Sequence, residues 1–175
     1  MIAIEVDDRA VREALAKLRG RASNLTPVMQ ALGEDIMERT KQRFATATGP
    51  DGTRWRANAQ STLTAYIESR GGFGKRGINA KGRALAANKR PLQGHTGDLA
   101  RQFHVRADAG SVTVSSSPIY AAIHQFGGKA GRGHKVTIPA RPFLPITSSG
   151  ELYPQERDLI VAGLQRYLLG GTSPS

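Results

Sequence analysis

Residues Tyr120–Thr147 read YAAIHQFGGKAGRGHKVTIPARPFLPIT, and the change of pattern inside this stretch sets the fold class. Tyr120, Ile123 and the run His124-Gln125-Phe126 suit one short helix, offered a cap by Ser117-Pro118 and stopped by Gly127-Gly128. Lys129 to His134 follows as a basic, glycine-rich loop. Lys135-Val-Thr-Ile138 then has the composition of a strand. It is closed by Pro139 and Pro142, which have no N–H to give to a ladder. A helix and a strand are thus joined within one short segment.

Working upstream, Phe103 and Val105 alternate with Gln102, His104 and Arg106, and Val112 and Val114 alternate with Thr113 and Ser115. With Asp108-Ala-Gly110 between them, the two runs predict a β-hairpin. Gly71 to Gly94 is rich in Gly, Ala, Asn, Lys and Arg and poor in large apolar residues. Such a segment buries too little surface to offset its ordering entropy, so the expectation is a mobile loop with at most a helical turn near Ala84–Ala87. Trp55 follows the turn signal Pro50-Asp51-Gly52 and is expected to pin that loop onto the core.

Nearer the N-terminus, Thr26-Pro27 opens a long helix. Val28, Leu32, Ile36 and Phe44 mark its apolar face, and it is expected to run to about Ala45. Before it, Ile2, Ile4 and Val6 alternate as in a strand, and Asp7 or Asp8 can cap a short helix. Val11, Ala14, Leu15 and Leu18 line that helix, and Gly20 ends it. Leu159, Ile160, Leu164, Tyr167 and Leu168 mark a final helix from about Pro154 to Gly170. The expectation is an α+β fold: a small antiparallel β-sheet packed with N-terminal and C-terminal helices. One domain spans 1–170, with a long basic loop insertion at about 71–94 and a frayed tail at 171–175.

The net charge of +11 is unevenly placed. Residues 54–106 hold eleven cations against Glu68 and Asp98, while the segments on either side are nearly balanced. A block of this kind favours a polyanionic neighbour, nucleic acid or the acidic face of a protein, although a solvated basic loop has the same composition.

Several chemistries drop out. The chain has no cysteine, so disulfides and thiolate sites are excluded. No apolar run nears the roughly 18 residues that a membrane span requires, and the acidic, alternating N-terminus is unlike a signal peptide, so a soluble protein without a membrane partner is expected. GGFGKRG at Gly71–Gly77 contains the G-x-G-x-x-G spacing of a dinucleotide loop. No buried strand precedes it, no clear helix start follows it, and no acidic residue occurs between Glu68 and Asp98. His95, Asp98 and His124 are the best candidates for sharing a metal, but they bring too few carboxylates for a metal-dependent nuclease. No nucleophile motif stands out. No cofactor, metal or catalytic residue is expected.

The Tyr120–Thr147 segment resembles the phage virion morphogenesis family of Mu-like phages, which is related to tail completion proteins. The resemblance is carried by Tyr120-Ala121, Ile123-His-Gln-Phe-Gly-Gly128 and Ile138-Pro-Ala-Arg-Pro-Phe-Leu144. Phe44, Gly49-Pro-Asp-Gly-Thr-Arg-Trp55 and Thr96-Gly-Asp-Leu99 precede them in the family's order. It implies a non-enzymatic virion protein at the neck or upper tail, present in the host cytoplasm during assembly. Its expected partners are other copies in a ring, six-fold in relatives, and neighbouring neck and tail proteins. Trp55, His124, Phe126, Arg141 and Phe143 are the candidate subunit or partner contacts, with Phe143 able either to anchor the core or to fill a neighbour's pocket. Lys75, Arg76, Lys81, Arg83, Lys89 and Arg90 are candidates to face DNA in the channel or a partner. The alternative is a non-specific DNA-binding protein of the packaging machinery.

Overall fold

The computed structural model describes residues 9–94 and 96–170. The expected Ile2–Val6 strand, the Asp7 or Asp8 cap, His95 and the tail at 171–175 lie outside these residues. Helices α1 (Arg9–Ala22), α2 (Thr26–Thr46) and α3 (Gln60–Glu68) come first. Strands β1 (Phe73–Gly74) and β2 (Gly77–Ile78) and helix α4 (Ala80–Asn88) follow. A single helical turn, α5 (Asp98–Arg101), leads into β3 (Phe103–Ala107) and β4 (Val112–Ser116). Next come α6 (Ala121–Phe126), β5 (Gly128–Ala130), a 3-10 turn (Arg132–His134), β6 (Val136–Ile138) and α7 (Pro154–Leu169). The fold is α+β. Among the described residues the strands form three separate two-stranded sheets, β1-β2, β3-β4 and β5-β6, where one small sheet was expected. No helix among them is long and apolar enough to cross a membrane.

The chain divides into two compact units. The described part of the first comprises residues 9–37, 104–115 and 154–170. In it α2 opens one step earlier than a start at Pro27: Thr26 is already helical, and its N–H donates to the Asn24 side chain at 3.1 Å. Val28, Leu32 and Ile36 recur every four residues and are all buried. Gly33 lets the helix backbone lie against the hairpin, since a Cβ there would meet Val105 Cγ1 at 2.4 Å and Val112 Cγ2 at 2.6 Å. Asp108 shapes that hairpin's turn by accepting the N–H groups of Gly110 and Ser111, both at 2.8 Å. Gly20 does not stop α1, which runs to Ala22. The two added residues bring Arg21 Nη1 to the Leu168 carbonyl at the end of α7, 3.1 Å away.

The second unit comprises residues 38–103 and 116–153. Its core is an aromatic cluster in which Phe44 meets Trp55 at 5.3 Å and Phe143 at 5.2 Å between ring centroids. Phe103 stands 6.2 Å from both Phe44 and Phe143. Trp55 pins its loop as expected: it is buried, and its N–H donates to the Ala47 carbonyl.

The segment Gly71–Gly94 departs most from expectation. It is not a long loop but a β-hairpin followed by a two-turn helix, and GGFGKRG is the hairpin itself, with Phe73 paired to Ile78 and Gly74 to Gly77. Apolar area does not order it; backbone proximity and one asparagine do. The Asn79 side chain caps α4 by accepting the Gly82 N–H at 2.8 Å and donates to the Gly71 carbonyl, while the Asn79 N–H donates to the Gly72 carbonyl at 3.0 Å. Gly72 and Gly82 pack backbone to backbone over the buried Ile67: a Cβ on Gly82 would meet the Gly72 oxygen at 2.1 Å. Because that oxygen is held by Asn79, it cannot swing away cheaply. Gly82→Ala is therefore expected to destabilise by about 2–3 kcal/mol, against the gain of about 1 kcal/mol that alanine brings to an open helix site. Urea unfolding with Ala87→Gly as the exposed control checks this; an unchanged midpoint for Gly82→Ala would remove the close-packing account.

Candidate functional site

The segment from Pro139 to Pro145, between the end of β6 and the Ile146–Leu152 bridge, is held by side chains taking the place of a strand partner. Pro139 and Pro142 restrict its backbone. Gln125, 2% exposed, accepts the N–H groups of Phe143 and Leu144, both at 2.9 Å, through Oε1. Its Nε2 donates to the carbonyls of Leu144 at 3.2 Å and Ile146 at 3.0 Å. One amide thereby uses both its faces on a single stretch of chain. Trp55 Nε1 donates to the Pro142 carbonyl at 2.9 Å, and Arg43 Nη1 to the Phe143 carbonyl at 2.7 Å.

Arg141 lies within this frame and is only 6% exposed. Its backbone N–H donates to the His124 carbonyl at 2.8 Å. Nε donates to the Arg56 carbonyl at 2.8 Å and Nη2 to the Ala57 carbonyl at 2.9 Å, so the guanidinium fixes the chain just before α3.

Between this segment and α3 runs a groove of about 550 Å³. Ala65, Tyr66 and Ser69 on α3 form one wall, and Lys89 and Leu92 after α4 form another. Asp98 and Leu99 of α5, Tyr120 and His124 at α6, and Ile138 and Arg141 complete it. Two cations share the Tyr66 ring, Arg70 at 4.2 Å and Lys89 at 4.5 Å from its centroid. Lys89 also donates to the Gln93 carbonyl, across a turn in which Leu92 adopts a left-handed φ of 59°.

The electrostatics of the groove are one-sided. Burial and then the neighbouring Arg70 lower the pKa of the Lys89 amine. Burial, then Arg141, lowers that of the His124 imidazole. Arg141 is itself lowered by burial and then by Arg56. Asp98, the one carboxylate among the described lining residues, is engaged by the Thr96 hydroxyl. His124 Nδ1 is buried with no hydrogen-bond partner among the described residues. No group of three or more His, Asp or Glu among them is placed to hold a metal ion.

The sequence-derived residues fall in different places. Arg141 and His124 meet in the groove. Trp55 and Phe143 lie in the aromatic core, with Phe143 fully buried in its own chain. Phe126 is 45% exposed at the end of α6. Of the basic set, Lys89 reaches the groove, while Arg90 donates to the Ala45 carbonyl and Arg83 to the Ile78 carbonyl at 3.2 Å. Lys75, Arg76 and Lys81 are exposed on the hairpin turn and α4. Sequence reasoning missed α3 and with it Tyr66 and Arg70. The signal was present as Leu63 with Ile67 and Tyr66 with Arg70, two pairs at i, i+4 spacing.

Comparison with known proteins places these features in a family. The model of the phage virion morphogenesis family matches residues 6–162. A Mu-like prophage FluMu G protein 2 of Haemophilus influenzae is 56% identical over 54 residues, which are 31% of this chain and 35% of that protein. The match therefore spans about a third of that relative's length. A protein of Escherichia phage Mu named "Putative capsid assembly protein G" is 28% identical over 150 residues, 85% of each chain. No solved structure matches.

Proposed function

The chain belongs to the phage virion morphogenesis family, and from that premise we propose that it is a structural, non-enzymatic protein of the particle's neck. It completes the tail or joins it to the head, assembling with other copies of itself as a ring around the DNA channel. The match over residues 6–162 carries this reading. The name of the Mu relative refers to capsid assembly, and a protein at the head–tail junction satisfies both that name and a tail-completion role.

The frame described above suits such work. Gln125, Arg141 and Trp55 spend their polar groups on the protein's own backbone, which makes a rigid platform on which surrounding surfaces are presented at fixed spacing. The exposed cations Lys75, Arg76 and Lys81 favour a second, accessory role, non-specific contact with passing DNA phosphates.

Deleting the gene from its phage and imaging the induced lysate by negative-stain electron microscopy tests the primary reading. Filled heads separated from tails, or tails of abnormal ends, are the expected result, restored by the gene in trans. Normal joined particles would overturn it.

A further inference from the structure

We infer that the β5–β6 hairpin is an arm that contacts the phosphates of duplex DNA through Lys129, Arg132 and Lys135. It extends the accessory DNA contact proposed above to a surface which that reading does not include. The binding itself rests on the charge and geometry of the arm, not on a place at the neck.

Charge separates the two compact units. Among the described residues the second unit carries seventeen Lys and Arg against five Asp and Glu, while the first carries eight against six. The positive excess therefore sits largely in one unit, and no acid occurs between Asp108 and Glu151, the stretch that holds the arm. Bonding then sorts these cations. Arg43, Arg90 and Arg141 are spent on the carbonyls of Phe143, Ala45 and Arg56. Among the described residues none is bonded to the side chains of Lys129, Arg132 or Lys135. These three give up no internal partner when they meet a phosphate.

The base of the arm is fixed and its tip projects. Gly127 packs so close to the returning chain that a Cβ there would meet the Ala140 nitrogen at 2.9 Å, and the Arg141 N–H holds the His124 carbonyl at 2.8 Å. Beyond this base, residues 131–137 are all exposed. In the ladder Gly128 stands opposite Ile138, and Lys129 opposite Thr137. Successive pairs lie on opposite faces. Gly128 lies over Ile123 and Ile138 lines the groove, so Lys129 faces away from the body. At the tip Gly131 and Gly133 take positive φ values of 77° and 69°. Arg132 thus stands between two residues without side chains, where the backbone can come close to a ligand.

The chemistry of the arm favours duplex DNA over a single strand or a protein. No Phe, Tyr or Trp occurs between Phe126 and Phe143, so the arm has no ring to stack on an unpaired base and no aromatic anchor for a protein pocket. A two-stranded ribbon fits the major groove, about 12 Å wide, which brings cations at its tip between the two rows of phosphates.

The test is fluorescence anisotropy of the full chain with a labelled short DNA duplex over a series of salt concentrations. Each phosphate neutralised contributes about −0.9 to the slope of log K against log salt. Combining Lys129→Gln, Arg132→Gln and Lys135→Gln is expected to make that slope shallower by about 2–3, with an unchanged thermal midpoint. The control combines Lys17→Gln, Arg19→Gln and Arg166→Gln, which removes the same charge from exposed sites of the first unit and is expected to leave the slope in place. An unchanged slope in the arm variant, an equal change in both variants, or no duplex binding overturns the inference. So does tighter binding of polyglutamate than of the duplex that the arm variant loses, which would make the arm a contact for an acidic protein. Unjoined particles in the deletion lysate together with any of these results would remove this inference alone; normal joined particles together with the expected loss of slope would remove only the neck role.

Discussion

Gln125→Leu is expected to lower the unfolding free energy by about 3–5 kcal/mol, a large part of the roughly 5–15 kcal/mol that holds a domain folded. The two side chains have similar volumes, so the change isolates hydrogen bonding from cavity formation. It deprives four backbone groups of their partner: the N–H groups of Phe143 and Leu144 and the carbonyls of Leu144 and Ile146. Each unpaired buried group costs about 1–3 kcal/mol, and partial opening to water recovers some of the total. Gln125→Glu sharpens the test. A carboxylate in this place turns an acceptor toward two carbonyls, so its pKa is raised in the folded state. The folded protein then binds a proton the unfolded chain releases, and the variant regains stability as pH falls through that raised value. Urea unfolding at several pH values reads both effects. A loss below about 1 kcal/mol in Gln125→Leu would mean that water or another side chain already serves this segment.

Why Gln125 rather than Phe126 lies inside bears on how far the sequence could be read. Residue type alone assigns the phenylalanine to the core and the glutamine to solvent. With α6 only six residues long, the demand of the Phe143–Ile146 backbone for partners decides which side faces inward, and Phe126 is left 45% exposed. Legible elements were those whose signal is contiguous. Val28, Leu32 and Ile36 recur along α2, Pro154 and Gly170 bracket α7, and alternation marks β3 and β4. The α3 to α4 region was opaque because its order arises from contact between Gly72 and Gly82 and from the bonds of Asn79. An account based on apolar area gives such contacts no weight. The groove was legible by halves. His124 and Arg141 stand close in sequence, but the shared stacking of Arg70 and Lys89 on Tyr66 forms only when α3 and α4 fold back on one another.

Phe143→Ala is expected to cost about 3–5 kcal/mol in the isolated chain, the usual range for removing a buried phenylalanine. The ring is 0% exposed and lies against Phe44 and Phe103, so its loss opens a cavity in the aromatic core. Phe143→Leu, which refills much of that volume, should lose less than half as much. The same pair of variants decides between the two roles the sequence allowed for this residue. A side chain that fills a neighbour's pocket would, when truncated, change the mass of the assembly while leaving the unfolding midpoint of the lone chain in place. A core side chain lowers that midpoint first, together with the near-ultraviolet dichroism of Trp55 and Phe44. Assembly then fails indirectly, because residue 143 lies two positions after Arg141 and its own backbone is held by Gln125, and a collapsed core shifts both. Denaturation and sedimentation velocity on one preparation separate these outcomes. An unchanged midpoint with altered assembly mass would assign Phe143 to the subunit contact and refute its place in the core.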